Sequence, residues 1–347
     1  MREVLLSKRY TLGACAFAAM LVGCASQQPA ATNGPTPQFD GYRAAAPLGT
    51  PLPPPPRRPR PRGWLSPEAK RPTHGLLYVA DEYNSEVLIY DAKGKNQSPI
   101  GMIDDGVTTP YGLWVDKNRN LYVANQGSYY GSGSGTVTVY PSGSTSPSLI
   151  YSQDLSRPLY PIVDQYGDLF VSGTNYNGSG AVVEYKAGST NEYQILQTPG
   201  GEADGMDFDL KGNLYVAYRG VSGTGSIDEF PPGSTQGTSL GMSLNQPQGV
   251  VVDNNANILA AETGDTNRVD LFAPGSQTPE LELDLPSSAS PTQLTISADE
   301  GKLFVTAWNN GDIYATLYPL TQDSAWVVKD DAQTTIQGMA LTRGQVF

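Results

Sequence analysis

Short apolar strands of the form LYVA recur at a regular interval along the chain from Leu76 onward. Their central residues are Tyr78, Tyr122, Phe170, Tyr215, Leu259 and Phe304. Successive copies are 44, 48, 45, 44 and 45 residues apart. A period this constant is typical of a repeat protein, in which each repeat is one structural unit.

Each repeat contains further strands. A strand that starts at Pro or Gly and ends at Asp precedes the later copies, as in PYGLWVD at 110–116, and a tight polar turn joins the two. A third run places apolar residues at period two, for example Val137 and Val139, and a weaker fourth strand follows. Four strands per repeat are typical of a propeller blade. The sequence therefore predicts an all-β, six-bladed β-propeller of four-stranded antiparallel blades.

The two ends of the repeat region complement each other. The first copy enters at a second strand, residues 76–80, whereas IQGMALT at 336–342 has the form of a first strand. We expect the N-terminal strands to pair with this C-terminal strand, which would close the ring and remove exposed sheet edges. The propeller is predicted to occupy residues 75–347 as one monomeric domain.

The N-terminal segment has the layout of an export signal. Arg2, Lys8 and Arg9 precede an apolar run from about Thr11 to Val22. The run is too short to span a bilayer, and charged, apolar and small residues follow in the order of a secretory signal. We predict a signal peptide at residues 1–23.

The residues LVGC that end at Cys24 resemble the lipobox of bacterial lipoproteins. The resemblance implies cleavage before Cys24, acylation of this cysteine and durable anchoring in a lipid bilayer, because several acyl chains hold better than one. Ala25 follows, which by resemblance to sorting in double-membraned bacteria implies the outer rather than the inner membrane. The alternative is a buried cysteine in an ordinary N-terminal helix.

Residues 24–74 are predicted to be a linker. PLPPPPRRPRPR at 51–62 has no apolar periodicity and favours extended polyproline structure. Its four arginines either contact anionic lipid headgroups or cell-wall polymer, or are solvated charges. Residues 75–347 carry a formal charge of −19, compared with −12 for the whole chain. This acidity argues against nucleic acid and favours cations, basic proteins or neutral glycans as partners.

The repeated pattern PxGxxxD followed by GNLYVA resembles the NHL-type six-bladed propellers, a superfamily that includes the gluconolactonase group and the virginiamycin B lyases. Its members act as hydrolases, lyases or binding platforms. The segment ADGMDFDLKGNLYVA from Ala203 resembles the metal-binding segment of the gluconolactonase group, which implies Asp204 as a ligand of Ca²⁺ or another divalent cation. No other residue of that set has a match, and the mouth position one blade earlier is Leu159.

Glu262 lies one blade beyond Asp204 and is the second candidate for a metal ligand or for an acid/base pair. The alternatives are a turn-capping role for Asp204 and a solvated loop carboxylate at Glu262. The lyases use a catalytic histidine, whereas the single histidine, His74, precedes the repeats. The same lack of histidine excludes Ser-His-Asp and Cys-His hydrolases from the propeller.

The strands of a blade alternate in direction, so the first strands begin and the second strands end on one face of the disc, here called the mouth face. Aromatic and polar side chains on this face suit protein or glycan recognition. The predicted ligand-binding residues are Tyr111, Asn125, Tyr129, Tyr130, Tyr176, Tyr218, Arg219 and Trp308. Alternatively, these loops only connect the blades.

Two functions remain on the sequence alone. The preferred hypothesis is a lipid-anchored propeller that binds a protein, peptide or glycan without catalysis. The alternative is a metal-dependent lactone hydrolase at the channel mouth, with Asp204 and Glu262 at its centre.

Overall fold

The computed structural model describes residues 63–71, 75–92, 98–127, 135–152, 155–198, 201–220, 223–331 and 336–341. The predicted signal peptide, Cys24, the arginine-rich stretch and His74 lie outside these residues, as do Tyr129 and Tyr130. Almost all of the regular structure described is β-strand, and the strands form six small sheets.

Each sheet is one blade. Blade 1 contains β1 (Trp64–Leu65), β2 (Leu76–Asp81), β3 (Glu86–Asp91) and β4 (Gly101–Ile103), with the short helix α1 (Pro67–Lys70) after β1. Blade 2 contains β5 (Pro110–Val115), β6 (Leu121–Asn125), β7 (Thr136–Tyr140) and β8 (Leu149–Tyr151). Blade 3 contains β9 (Arg157–Val163), β10 (Leu169–Thr174), β11 (Gly180–Tyr185) and β12 (Glu192–Leu196).

Blade 4 contains β13 (Glu202–Phe208), β14 (Leu214–Arg219), β15 (Thr224–Phe230), β16 (Thr238–Ser239) and β17 (Leu244–Asn245), the last two both pairing with β15. Blade 5 contains β18 (Pro247–Val252), β19 (Ile258–Glu262), β20 (Arg268–Phe272) and β21 (Leu281–Asp284). Blade 6 contains β22 (Pro291–Ile296), β23 (Lys302–Ala307), β24 (Asp312–Leu317) and β25 (Val327–Asp331). The last strand, β26 (Ile336–Leu341), joins blade 1.

The ring closes as the sequence predicts. β26 pairs antiparallel with β2, with Leu77 opposite Leu341 and Val79 opposite Met339. It also packs against the first strands of blades 2 and 6, and the other first strands contact one another in the order of the chain. The six first strands therefore surround a central axis, and the six-bladed propeller with antiparallel blades is confirmed.

One strand arises from the segment assigned to the linker. Trp64 and Leu65 pair with Met102 and Gly101, so β1 adds a fifth strand to blade 1. The N–H of Gly63 donates to Asp104 Oδ1 at 2.8 Å. Ala69 is buried in the apolar core between blades 1 and 2. Residues 63–71 thus pack on the propeller through the pairing of β1 with β4 and the burial of Ala69.

Repeat-position residues build the turns and the core. Asp116, Asp164, Asp209 and Asp253 each accept the backbone N–H of the residue four positions later, at 2.7–2.9 Å. The aromatic residues that end the third strands, such as Tyr140 and Phe272, are fully buried. Each large apolar side chain buried in this way contributes about 1.5–3 kcal/mol relative to exposure.

Glycine in the first strands allows these strands to approach one another near the axis. A Cβ atom at Gly249 would lie 2.5 Å from the carbonyl oxygen of Thr292 on the next blade. Four of the six first strands have glycine at this position, whereas blades 3 and 6 have Tyr160 and Gln293. These two larger side chains lie on opposite sides of a six-membered ring and determine the shape of the channel.

Candidate functional site

Two tyrosines lie across the channel just below the mouth face. The Tyr111 hydroxyl donates to Gln248 Oε1 at 3.3 Å, and these residues belong to blades 2 and 5, on opposite sides of the ring. The Tyr160 ring packs edge-on against Tyr111, with 5.3 Å between the centroids. Burial raises the pKa of both phenols, so both stay protonated at neutral pH. The aromatic rings therefore fill the axis at this level.

Two arginines and two carboxylates form a chain of ion pairs beside these tyrosines. Arg219 Nε donates to Asp204 Oδ2 at 2.6 Å, and Arg219 Nη2 also donates to Glu202. Arg157 Nη1 donates to the other Glu202 oxygen at 2.5 Å. The Arg157 guanidinium reaches Gln126 Oε1 at 3.0 Å. This set, called here the mouth network, joins blades 2, 3 and 4.

Asp204 is the most enclosed member of the mouth network, with 0% of its surface exposed. Burial raises the pKa of its carboxyl to about 7, against the opposing effect of the Arg219 charge. Its backbone carbonyl accepts the Ser172 hydroxyl at 2.5 Å. The turn-capping alternative for Asp204 is wrong, because its carboxylate faces an arginine.

Glu262, the other predicted metal ligand, has an arginine of its own. It is 1% exposed, accepts the Thr266 hydroxyl at 3.1 Å and lies 3.7 Å from Arg268 Nε. Arg268 also contacts Asp270, whose pKa is raised to about 7, first by burial and then by the Glu262 charge. The solvated-loop alternative for Glu262 is therefore wrong.

Metal coordination needs several oxygen ligands that converge on one point. Asp204 and Glu262 lie on neighbouring blades, and each is paired with a different arginine. Within the described ranges, no group of three or more His, Cys, Asp or Glu side chains is placed to hold a metal ion. In the mouth network two arginines balance two carboxylates, whereas Arg268 alone faces Glu262, Asp270 and Glu282.

The remaining predicted residues of the mouth face differ in exposure. Asn125 is buried, accepts the N–H of Thr108 at 2.9 Å and donates to Thr138, so it orders the blade. Tyr218 and Trp308 are half-buried. Tyr176 is 63% exposed on the loop between β10 and β11.

Several residues escaped the sequence analysis. Tyr83, 77% exposed between β2 and β3, lies on the mouth face and could have been found in the polar turn EYNS at 82–85. The repeat pattern does not indicate the roles of Arg157, Glu202 and Gln126, because their contacts join different repeats.

The residues that the structure describes include no helix long and apolar enough to cross a membrane.

No protein-family model matches the chain, and no curated protein matches it in sequence. Its architecture is similar to that of several solved structures. A protein of unknown function from Bacteroides caccae has 12% identity and a TM-score of 0.56, over 78% of this chain and 100% of that chain. The periplasmic gluconolactonase PpgL of Pseudomonas aeruginosa has 18% identity and a TM-score of 0.52, over 73% and 82%.

Kuenenia stuttgartiensis hydrazine synthase has 16% identity and a TM-score of 0.50, over 65% of this chain and 68% of that chain. At these identities the likeness shows the fold alone. The chain shares a propeller architecture with a gluconolactonase, and membership of the NHL superfamily stays a prediction.

Proposed function

We propose that the protein is an envelope lipoprotein, anchored through Cys24, whose propeller binds a protein, peptide or glycan at the mouth face without catalysis. The pairing within the mouth network carries this proposal. Arg157, Glu202, Arg219 and Asp204 neutralise one another in a chain. A general base or a metal ligand needs a carboxylate that a substrate or an ion can reach, whereas Asp204 is enclosed and bonded to Arg219.

The exposed side chains of the same face suit recognition. Tyr83 and Tyr176 stand on loops between second and third strands of blades 1 and 3. Asn175 Oδ1 accepts the N–H groups of Asn177 and Ser179 and so shapes the loop. The exposed Asn177 adjoins Tyr176 and adds an amide that can bond hydroxyls or peptide groups. A rigid ring that carries such loops resembles the usual arrangement of binding proteins, in which the scaffold positions the loops.

The proposed anchor and the charge of the propeller limit the partner. The formal charge of −19 over residues 75–347 favours a neutral or basic partner. A linker from Cys24 to Gly63 would reach about 120 Å if it were fully extended at about 3.1 Å per residue. The propeller could then contact material in the envelope well away from the bilayer surface.

Site-specific photo-crosslinking tests the binding face. Tyr176 on the mouth face and Tyr166 on the opposite face both belong to blade 3, and both are exposed, at 63% and 76%. We expect a benzoyl-phenylalanine at position 176 of the full chain to give a discrete adduct in cells. The same group at position 166 is the matched control and should give none.

The second arm of this experiment uses substitutions. Tyr83→Ala should reduce the adduct at position 176 several-fold, because tyrosine is enriched among the interface residues whose truncation costs about 2 kcal/mol or more of binding. Tyr166→Ala should leave the adduct unchanged. Equal adducts from positions 166 and 176, or none from either, would refute the mouth face as the binding face.

The alternative function is a divalent-metal-dependent lactone hydrolase. Asp204 favours it, since this carboxyl lies at the channel mouth, matches the metal-binding segment of the gluconolactonase group and has a pKa raised to about 7. A site near Asp204 that binds Ca²⁺ would stabilise the fold by about 2.7 kcal/mol at one hundred times the dissociation constant, which raises the melting temperature by about 5–10 °C.

We expect no Asp204-dependent rise when Ca²⁺, Mg²⁺, Mn²⁺ or Zn²⁺ is added to chelator-treated protein. Differential scanning fluorimetry of the native chain and of Asp204→Ala makes the comparison. A rise of this size that disappears in Asp204→Ala would favour the hydrolase over the binding platform.

A further inference from the structure

A recess lies at the end of the channel opposite the mouth face. We call this end the exit face, because the six first strands end there. The recess, here called the exit cavity, has a volume of about 80 Å³, and all six blades contribute to it. Its wall is largely apolar and includes the last residues of five first strands, Val115, Phe208, Val252, Ile296 and Leu341. Leu210 also lines it and is 60% exposed, so the cavity reaches the surface.

The strand that closes the ring leads directly to this cavity. Leu341 is the last residue of β26 and belongs to the cavity wall. In the sequence it is followed by TRGQVF at 342–347, a segment that lies outside the described residues. Six residues span at most about 20 Å, at about 3.3–3.6 Å per residue. This reach allows Phe347 to return to a cavity whose wall begins at Leu341.

The alignment of the repeats places the start of this segment at the cavity rim. In blades 4, 5 and 6, the residue two positions after the end of the first strand is Leu210, Asn254 or Ala298. All three line the exit cavity. Arg343 has the same position after β26. We therefore expect Arg343 at the rim, as the blade 1 equivalent of these residues.

The charges of the cavity wall complement an arginine. The wall contains Asp207, Asp253 and Glu300, and its described residues include no lysine or arginine. Both oxygens of Asp207 and both of Asp253 accept hydrogen bonds. Glu300 Oε1 accepts the Asn254 N–H at 2.8 Å, whereas none of the described residues donates to its other oxygen. Glu300 is thus the wall carboxylate with an oxygen to offer to Arg343.

We propose that residues 342–347 fold back into the exit cavity, where Phe347 fills the apolar part and Arg343 pairs with Glu300. The cavity holds roughly five to eight water molecules, at about 10–15 Å³ for each, which is comparable to the space of one phenylalanine ring. The buried ring would hold β26 in place and close the exit end of the channel. This inference depends neither on the lipid anchor nor on binding at the mouth face.

Removal of the segment tests its contribution to stability. A chain that stops after Leu341 keeps all of β26 and therefore the closed ring, and Phe347→Ala removes the aromatic side chain alone. We expect both to melt roughly 3–10 °C below the native chain, the effect of one large apolar side chain in a domain of this size. Gln345→Ala is the control from the same segment and should melt within about 2 °C of the native chain. Differential scanning fluorimetry measures these shifts.

A double-mutant cycle tests the ion pair. Arg343→Gln and Glu300→Gln should each lower the melting temperature by about 1–3 °C, and the double variant should melt no lower than the less stable single variant. Glu300→Gln keeps an oxygen for the Asn254 N–H, so it removes only the charge. Asp299→Asn is the control, because Asp299 lies in the same turn but outside the cavity wall. Its effect should add to that of Arg343→Gln.

Photo-crosslinking of the full chain shows where the segment lies. A phenylalanine that carries a diazirine at position 347 should form a bond within its own chain. Mass spectrometry of the digested protein should place this bond on the cavity wall, in residues 205–210 or 249–254. The same group at Leu317, which is 73% exposed at the end of β24, is the control. It should form no bond to these two segments.

Four results would overturn the proposal. If the group at position 347 leaves the cavity wall unmodified, something other than this segment occupies the cavity. If the bonds join two chains and disappear on dilution, the occupant is a second copy. If the shortened chain and Phe347→Ala melt as the native chain does, the segment does not hold the ring. If the effects of Arg343→Gln and Glu300→Gln add, the two residues do not pair.

Discussion

Deletion of residues 336–347 is expected to unfold the propeller rather than to shorten it by one strand. Every residue of β26 is buried, and the strand is the innermost strand of blade 1, packed against the first strands of blades 2 and 6. Loss of Ile336, Met339 and Leu341 alone removes about 5–9 kcal/mol of apolar burial, at about 1.5–3 kcal/mol for each side chain. That is comparable to the whole stability of a typical domain. The deletion also exposes the edge of β2 and the side chains of blade 6.

Circular dichroism in urea measures this effect. The intact chain should show a cooperative transition, whereas the deletion variant should lack it or unfold at a far lower urea concentration. Met339→Ala is a milder variant and should cost about 2–5 kcal/mol, the usual range for a large side chain in a core. Val327→Ala, on the outer strand of blade 6 and 63% exposed, is the control and should stay within about 0.5 kcal/mol. A deletion variant that melts like the intact chain would mean that β26 does not hold the ring.

The repeat pattern was sufficient to predict the blades and their closure, because both depend on local signals. The turn aspartates, such as Asp209 and Asp253, bond backbone groups four residues away, so each turn is determined by its own short sequence. Closure followed from the form of IQGMALT as a first strand without partners in its own repeat. The aromatic residues that end the third strands, such as Tyr140 and Phe272, recur with the same period and are buried.

The candidate site was far less predictable, because its contacts join different repeats. Tyr111 bonds Gln248, which is 137 positions away, and Arg157 pairs with Glu202 on the next blade. The alignment of repeats placed Asn125 on the binding face, although its side chain turns inward to Thr108 and Thr138. The sequence shows that Tyr160 stands where most first strands have glycine. How this side chain shapes the channel depends on the positions of all six first strands, which the sequence does not give.

Arg219→Met is expected to cost about 3–5 kcal/mol of stability at pH 8.5, the usual loss when one partner of a buried ion pair is removed. Arg219 is the cation that contacts both Asp204 and Glu202, and Asp204 has no exposed surface. Without Arg219, the folded protein must either bury a bare carboxylate or hold a proton on it. The effect should far exceed that of a surface charge. Lys117 is exposed and donates to the Gln165 carbonyl, and Lys117→Met should stay within about 0.5 kcal/mol.

The pH dependence distinguishes this electrostatic cause from simple loss of packing. The folded pKa of Asp204, about 7, lies above the ordinary value of 3.8. Its contribution to stability is therefore complete below about pH 4 and is lost as the pH rises towards 7. Loss of the arginine raises this pKa further, so the deficit of Arg219→Met should be smaller at pH 5, where Asp204 is protonated, than at pH 8.5.

The double variant Arg219→Met/Asp204→Asn should recover much of the stability lost at pH 8.5, since the Asp204 carboxylate is then no longer buried. Urea midpoints of the native chain, Arg219→Met, the double variant and Lys117→Met at both pH values test this. An equal deficit at pH 5 and 8.5, without recovery in the double variant, would show that Arg219 acts through its packing.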